Sequence, residues 1–426
     1  MTKSQDIELA PTDSPAAHPP PLPPARAPRR LNIFFDRILT IVFLLALLIP
    51  TLGTFFQWDP LRSGSEKRKL ADWPRLPHSV REFNRYTDRA SDWFRDHFGF
   101  RQSFIHLIKT AQFRTIGPTH NPDVIIGTEG WLYLRRKPDT GPLDMSFTLE
   151  RGLLPFTTAE MESWRLILEK RQAYLAARGI PFFVHIAPDK QAIYPEYLPD
   201  ILKNPPPPPT RLDQFLAYMK EKKSPVFILD LRAELIAAKS TGRIYWKTDT
   251  HWNYDGAYLA YARILEEINR RLPPNRAVKV LPRANLKHVD LGLQAGDLSM
   301  LLNLGDQLQE PWPTLQASLP FRTKLVPASG EGGHETIGSD PAAPRLLMYR
   351  DSFATALFSM TAQHFSYALF VWDDKFTTDI INDAKPDIVV NEFVERKLYW
   401  RLPEDSQEIS DTPLPPDRNV AAGQRP

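Results

Sequence analysis

The sequence predicts a three-layer α/β domain with a mostly parallel sheet, preceded by one transmembrane helix. Two patterns carry that expectation. An uncharged apolar run extends from Ile38 to Phe56, and further on a series of short, unbroken apolar runs alternates with stretches of helical periodicity. Strands buried on both faces lose the alternation of a half-exposed sheet, and parallel strands need crossovers that are usually helical. A chain of 426 residues is long enough to bury such a core without covalent staples.

The elements follow in order. Residues 1–37 read as a disordered tail: Pro11, Pro15, Pro19 to Pro21, Pro23, Pro24 and Pro28 come with few large apolar groups, too few to offset chain entropy. Residues 38–57 read as a membrane anchor, because at about 1.5 Å per residue the apolar run approaches the roughly 30 Å of a bilayer core. It ends in Phe55, Phe56, Gln57 and Trp58, an interfacial aromatic edge rather than the small-residue exit of a cleaved signal peptide. Arg26, Arg29, Arg30 and Arg37 before the run balance Arg62, Lys67, Arg68 and Lys69 after it, so charge alone does not orient the span.

Residues 58–402 form the working domain. Phe83, Tyr86, Ala90, Trp93, Phe94 and Phe98, then Phe104, Leu107 and Ile108, mark an amphipathic helix over Ser79 to Thr115 that breaks at Gly99. Val124 to Ile126 and Trp131 to Leu134 flank a glycine turn as two short strands. The alternation begins with a helix over Thr158 to Arg178 and a strand at Phe182 to Ala187, repeats over Leu212 to Lys222 and Val226 to Leu231, and adds a helix at Ala257 to Arg271. It ends with strands at Leu346 to Tyr349, Ala368 to Trp372 and Asp387 to Val390, separated by helices at Ala354 to Ala362 and Thr377 to Ala384. Pro205 to Pro209 reads as a stiff spacer in a surface loop. Residues 403–426, acidic and proline-rich, read as a second disordered tail.

Composition removes several classes of function. With 53 Lys+Arg against 50 Asp+Glu and no basic stripe, nucleic acid is not an expected partner. Zero cysteines exclude thiol nucleophiles, thiolate-bound zinc, Fe–S clusters and disulfides. No phosphate-binding glycine loop, H-E-x-x-H or G-x-S-x-G occurs, and His97, His106 and His185 stand singly, so neither a metal nor a cofactor is expected.

Open α/β sheets hold ligands where the chain leaves the carboxyl ends of strands. Two such exits carry chemistry: Thr248 to Trp252, following Ile244 to Trp246, and Arg350 to Phe353, following the strand at Leu346. In an extended stretch, residues i and i+2 point the same way, which lets Asp249 reach a ring nitrogen of His251 and fix its tautomer. Ser352, at a strand-to-helix turn, would face the other nitrogen, with the new helix's amides toward a developing oxyanion. The three would form an acyl-transfer triad, since an unassisted serine hydroxyl is a poor nucleophile. Each element also has a plainer reading: a chance D-x-H, His251 capping against Tyr254, and Asp351 with Ser352 as an N-cap.

A set of ordered motifs makes the chain resemble a known family. Ser65-Glu66-Lys67-Arg68 with Leu70-Ala71 and Pro74 comes first, then Gly127-Thr128-Glu129-Gly130-Trp131-Leu132, then Ala187-Pro188-Asp189-Lys190 with Tyr194-Pro195. Asp249-Thr250-His251-Trp252, Gly296-Asp297-Leu298 and Arg350-Asp351-Ser352-Phe353 complete the order. Over about Ser65 to Leu398 this resembles the AlgX/AlgJ-type SGNH hydrolase-like proteins, O-acetyltransferases of secreted polysaccharides, alginate above all. The resemblance implies an SGNH hydrolase-like catalytic domain in the periplasm, an inner-membrane anchor with a cytoplasmic N-terminus, and a triad of Ser352, His251 and Asp249. The Asp/His block precedes the serine block, as in that group and unlike ordinary SGNH hydrolases.

By the same resemblance the partners are a polysaccharide acceptor and an acetyl donor delivered through a membrane acyltransferase of the MBOAT type. Arg350 stands where many relatives have the glycine of Gly-Asp-Ser and could bring a cation near an acyl group or sugar carboxylate. Asn391, after the strand ending at Val390, resembles the SGNH oxyanion asparagine, although Glu392 and Phe393 depart from that pattern. Trp252, with Trp131 and Trp372, is a candidate to stack on sugar, with core packing as the plainer reading. Two other functions fit the same residues: a periplasmic carbohydrate esterase or deacetylase, and a non-catalytic polysaccharide-binding scaffold.

Overall fold

The computed structural model describes residues 30–56, 58, 71–77, 79–116, 121, 123–135, 154–203, 208–325, 333–400 and 402–414. The chain divides into two compact units, residues 1–62 with 70–103, and residues 63–69 with 104–426.

In the first unit, helix α1 (Arg30–Phe56) contains an apolar stretch, Phe34–Thr54, long enough to cross a membrane. The helix starts before the expected anchor, so residues 30–37 are helical and not part of a tail; the rest of that expected tail lies outside the described residues. Helix α2 (Val80–His97) opens on Ser79, whose hydroxyl accepts the Glu82 amide. Helix α3 (Arg101–Ile116) follows the expected break at Gly99; its first three residues fall in the first unit and the rest in the second.

The second unit is built on a seven-stranded sheet whose strands lie in the order β4 (Ile228–Asp230), β3 (Phe182–Ala187), β11 (Ile388–Val394), β9 (Arg345–Tyr349), β10 (Tyr367–Val371), β8 (His334–Gly338) and β7 (Phe321–Leu325). Strands β3, β4, β9, β10 and β11 pair in parallel. Every residue of β3 is buried, and its alternate side chains feed two cores. Phe183 and Ala187 pack with Ala257, Ala260, Ile264 and Ile268 of the helix Tyr254–Asn269. On the other face, Phe182, Val184 and Ile186 pack with Trp164 and Leu168 of the helix Thr158–Ala176 and with Leu212 and Phe215 of the helix Arg211–Glu221. This is the three-layer arrangement the apolar runs predict. Capping boxes of Thr157 with Glu160, and Thr210 with Asp213, start the two helices on the second face.

The sheet is less uniformly parallel than expected. At one edge β7 and β8 run antiparallel, β8 against β10. Polar and charged residues fill both, so neither has an apolar run to announce it. Strands β1 (Val124–Ile126) and β2 (Leu132–Leu134) form the expected small hairpin, and β5 (Lys287–Ala295) pairs with β6 (Gln309–Gln316) outside the main sheet.

Two further expectations need correction. Residues 402–414 are ordered at least in part by burial: Ile409 is buried, and Asp405 forms a buried ion pair with Arg171 at 2.7 Å. The polar, proline-rich composition of that segment hid a strap fastened by a charge. Residues 415–426, like 204–207 of the expected proline spacer, lie outside the described residues. Ile244 to Trp246 is not a strand of the sheet either; Tyr245 makes an isolated bridge to Trp252, and the segment is a loop leading into the helix Tyr254–Asn269.

Candidate active site

Ser352 leaves the carboxyl end of β9 and precedes a single 3-10 turn, Phe353–Ala356, before the short helix Phe358–Ala362. Its turn is fixed by its neighbour. Asp351 Oδ1 accepts the Phe353 amide at 2.9 Å, and Oδ2 accepts the Val394 amide at 2.7 Å, which pins the serine turn to the end of β11. The Asp351 amide donates to Glu392 Oε2 at 3.0 Å. Burial, reinforced by the Asp351 charge, holds the Glu392 carboxyl well above the ordinary carboxylate range.

Asp249, Thr250 and His251 come from the loop, not from a strand exit. Asp249 Oδ1 accepts the His251 backbone amide at 2.9 Å and lies 2.6 Å from His251 Nδ1. The carboxylate thus reaches the ring by folding the chain back in a tight turn, rather than through the extended i, i+2 geometry the sequence suggested. His251 Nε2 lies 2.8 Å from Ser352 Oγ. The three groups expected from sequence form one hydrogen-bonded relay, and the imidazole remains 24% exposed, open to a substrate.

The electrostatics suit an ion pair on demand. Burial raises the Asp249 carboxyl, but the His251 ring and its hydrogen bond outweigh it, and the net shift is downward. Burial lowers His251, yet the Asp249 charge and hydrogen bond win and its pKa is raised above the usual value. A neutral imidazole here can take a proton from Ser352 and hold it as an imidazolium against Asp249.

Several side chains that sequence reasoning gave no role hold this loop. The Asp297 amide donates to Asp249 Oδ2 at 2.8 Å, while Asp297 accepts the Thr250 amide and hydroxyl, each at 2.8 Å. Gly296 lets the two segments meet, because a Cβ there would lie 2.3 Å from the Thr248 carbonyl atoms and 2.6 Å from the Asp249 nitrogen. Lys190, buried, donates to the carbonyls of Trp246, Lys247 and Asp249 at 3.0, 3.1 and 2.6 Å. Burial pulls its ammonium down to about 7 against the pull of Asp249, Asp297 and Glu310. Glu310 of β6 accepts the Thr248 amide and hydroxyl at 2.8 and 2.7 Å. Asp297 and Lys190 both stand within motifs quoted above, which was the available signal.

Three other expected site residues are not open to substrate. Trp252 is 1% exposed; its indole donates to the Phe353 carbonyl at 3.1 Å and so ties the histidine loop to the serine turn. Arg350 is buried, donates to Thr355 Oγ1 at 2.9 Å and lies over the Trp372 ring at 4.2 Å. Asn391 is buried too and accepts from Arg171 Nη1 at 2.7 Å. Asn391 lies within β11 between Val390 and Glu392, so its side chain leaves on the face shared with Val389 and Phe393, away from the core that holds Trp252 and Phe353. Of the three candidate stacking tryptophans, Trp372 is exposed, while Trp131 is buried with Trp252. The expected helix amides also change: that of Phe353 is engaged by Asp351.

Asp249, His251 and Asp297 bring potential metal-ligand atoms within 4.8 Å of one another. Each of the four carboxylate oxygens already accepts a protein donor, so the cluster is arranged around hydrogen bonds to the loop.

A covered, mainly parallel sheet with a Ser-His-Asp relay at its carboxyl edge has the architecture of the SGNH hydrolase-like proteins. Residues 124–358 match the family model for the SGNH hydrolase-like domain of the acetyltransferase AlgX, more than half of the chain, and the chain belongs to this family. It is similar to a probable alginate O-acetylase AlgJ of Pseudomonas syringae pv. tomato, 27% identical over 332 residues that cover 74% of this chain and 78% of the relative. The probable alginate O-acetylase AlgJ of Pseudomonas aeruginosa is 26% identical over 277 residues, 62% of each chain. Among solved structures, Bacillus cereus PatB1 shares the fold, with a TM-score of 0.50 at 17% identity over 68% of this chain and 100% of that one.

Proposed function

We propose that the protein is an O-acetyltransferase that carries acetyl on Ser352 and delivers it to hydroxyl groups of a secreted, alginate-like polysaccharide. The observation that carries this reading is the 2.8 Å approach of His251 Nε2 to Ser352 Oγ, with Asp249 at 2.6 Å from the opposite ring nitrogen. The names of the AlgJ relatives support the acetyl group and the acceptor class.

In the first half-reaction Ser352 Oγ attacks the donor's acetyl carbonyl while its proton passes to His251 Nε2. The C–O or C–S bond to the leaving group breaks, and His251 returns the proton to that group. In the second, a sugar hydroxyl gives its proton to His251 and attacks the acetyl ester; Ser352 leaves and recovers the proton. Asp249 stays ionised throughout and stabilises the imidazolium.

The apolar stretch of α1 supports an anchor over residues 38–57. In this reading the N-terminus is cytoplasmic, the domain over residues 58–402 works in the periplasm, and an MBOAT-type membrane acyltransferase supplies acetyl. The test is mass analysis of the full-length protein after exposure to an activated acetyl ester, with polysaccharide added in a second step. One acetyl group on Ser352, lost to the polymer on addition and absent in Ser352→Ala, is the expected result. Release as free acetate with no polymer ester would make the protein an esterase, and full polymer acetylation by Ser352→Ala would end the reading.

A further inference from the structure

Helix α1 is exposed along nearly all of its described length; among its described side chains only Pro50, Gly53 and Thr54 are buried. What covers them is the break between α2 and α3. A Cβ on Gly99 would lie 2.1 Å from the Pro50 carbonyl oxygen and 2.6 Å from the Thr54 nitrogen, so the two backbones meet there only because residue 99 is glycine. The Gly99 amide donates to Thr54 Oγ1 at 2.8 Å, and that hydroxyl donates to the Pro50 carbonyl at 2.9 Å. The Phe100 ring lies over Gly53.

This contact has a depth. Thr54 is the last residue of the apolar stretch Phe34–Thr54, and Pro50 is one helical turn, about 6 Å, before it. If α1 spans a bilayer, the corner at Gly99 sits where hydrocarbon gives way to headgroups.

From that corner α2 extends with two unlike sides. At 100° per residue, Phe83, Tyr86, Ala90, Trp93, Phe94 and His97 fall on one arc, and Arg85, Asp88, Asp92 and Arg95 on the opposite one. One flank of the apolar arc is covered: Trp93 meets Trp73 edge-on at 4.6 Å, and the Ala71 amide donates to Asp96 at 2.8 Å. The other flank is open, with Phe83 55% and Phe94 46% exposed. Between α1 and α2 the sequence carries Arg62, Lys67, Arg68, Lys69 and Arg75 against Asp59, Glu66 and Asp72, a positive excess of the sign an anionic lipid surface attracts.

We propose that α2 is an interfacial helix: it lies on the membrane surface from which α1 emerges, with Phe83 and Phe94 among the upper acyl chains and Arg85, Asp88, Asp92 and Arg95 toward water. The partner is the lipid surface itself, and the seat that holds the helix down is the Gly99 contact on α1. The proposal rests on the reading of α1 as a membrane span but not on which way that span points.

The chain has no cysteine, so single nitroxide labels can be placed without background. The experiment uses the full chain in nanodiscs of phosphatidylcholine and phosphatidylglycerol, with Leu45→Cys, Phe83→Cys, Phe94→Cys, Asp88→Cys and Asp92→Cys labelled one at a time. Collision with oxygen, which partitions into lipid, is compared with collision with a water-soluble nickel chelate. Labels at 45, 83 and 94 are expected to favour oxygen, and those at 88 and 92 the chelate, with 83 and 94 at a depth of roughly 5–10 Å. Labels at 83 and 94 that favour the chelate, while 45 favours oxygen, would overturn the proposal and leave the span standing. Shielding of 83 and 94 from both reagents would overturn it in favour of a protein partner. A chelate-accessible label at 45 would remove the span and the proposal together. In a Gly99→Val background, 83 and 94 are expected to shift toward the chelate with 45 unchanged; an unchanged lipid signature there would overturn the Gly99 seat.

Discussion

Replacing Lys190 by methionine tests whether the histidine loop is held from below by a buried ammonium. Lys190 Nζ donates to three backbone carbonyls. The Lys247 carbonyl keeps a second donor, the Leu132 amide at 2.9 Å, so the substitution chiefly strips the carbonyls of Trp246 and Asp249. Two buried acceptors left unpaired cost about 1–3 kcal/mol each, or roughly 2–6 kcal/mol together. Removing an ammonium from a dry site returns part of that, and a net loss of about 2–4 kcal/mol is expected. Methionine fills the volume of the stem, so the cavity contribution is small. Relaxation of the Asp249 carbonyl also tilts the carboxylate that orients His251, and a misplacement of about 1 Å at that point costs on the order of 100-fold in rate. Urea unfolding of the full-length protein in detergent gives the stability change, and turnover of a chromogenic acetyl ester gives kcat and KM. The expected signature is a fall in kcat with KM nearly unchanged. A variant within about 0.5 kcal/mol of the parent and with parental kcat would refute the idea that Lys190 positions the loop.

Because His251 must be neutral to accept the serine proton, and Asp249 raises its pKa, the rate rises with pH through a value above the ordinary 6.5. Asp249→Asn should lower the acid limb of the pH–rate profile, since the charge that outweighs burial is then lost and only the weaker pull of Asp297 opposes it, and cut kcat by roughly 10³–10⁴; an unmoved limb would show that the titrating group is not this histidine. Gly296→Ala drives a methyl into the Thr248 backbone and should cost about 1–3 kcal/mol together with most of kcat, whereas parental thermal stability and rate would mean the loop yields freely. Asp405→Ala leaves Arg171 buried opposite a missing carboxylate, and the expected loss is about 3–5 kcal/mol in urea unfolding. Ser352 should still acetylate in that variant under folding conditions; a stability within error of the parent would argue that the 402–414 strap is not fastened there.

The parallel half of the sheet was readable because its strands have no polar face. Phe182 to Ala187 is buried throughout, so the sequence shows a solid apolar block, and the helices between such blocks carry their own capping residues. Where a strand keeps a wet face the signal disappears, as in Arg322-Thr323-Lys324 of β7 and His334-Glu335-Thr336 of β8. Strand β8 is specified by pairing with β10, a partner that no local window contains, and β7 by pairing with β8 in turn. The C-terminal strap failed for the related reason that its anchor is a charge: Asp405 looks like solvent-facing tail until Arg171, over two hundred residues earlier, turns out to be buried against it.

The candidate site divides along the same line. Asp249 and His251 were legible because their contact is local, two residues apart, and Ser352 because its strand exit combines with theirs and with the ordered motifs around Arg350-Asp351-Ser352-Phe353. The residues that hold them are distant in sequence: Lys190 lies 59 positions from Asp249, and Asp297 lies 47 from Thr250. Arg350 and Asn391 were misread in the opposite sense, as surface for a ligand, because proximity to the motifs says nothing of which way a side chain leaves the backbone, and of the two readings of Trp252 it is core packing that holds. Their actual bonds explain why such residues accompany the motif. Trp252 ties the histidine loop to the Phe353 carbonyl, Arg350 braces the serine turn through Thr355, and Asp351 fastens that turn to Val394. A relay assembled from a loop and a strand end has no ladder of its own to fix its distances. The His251–Ser352 contact therefore depends on these cross-links, and kcat should be more sensitive to them than the affinity for any acceptor.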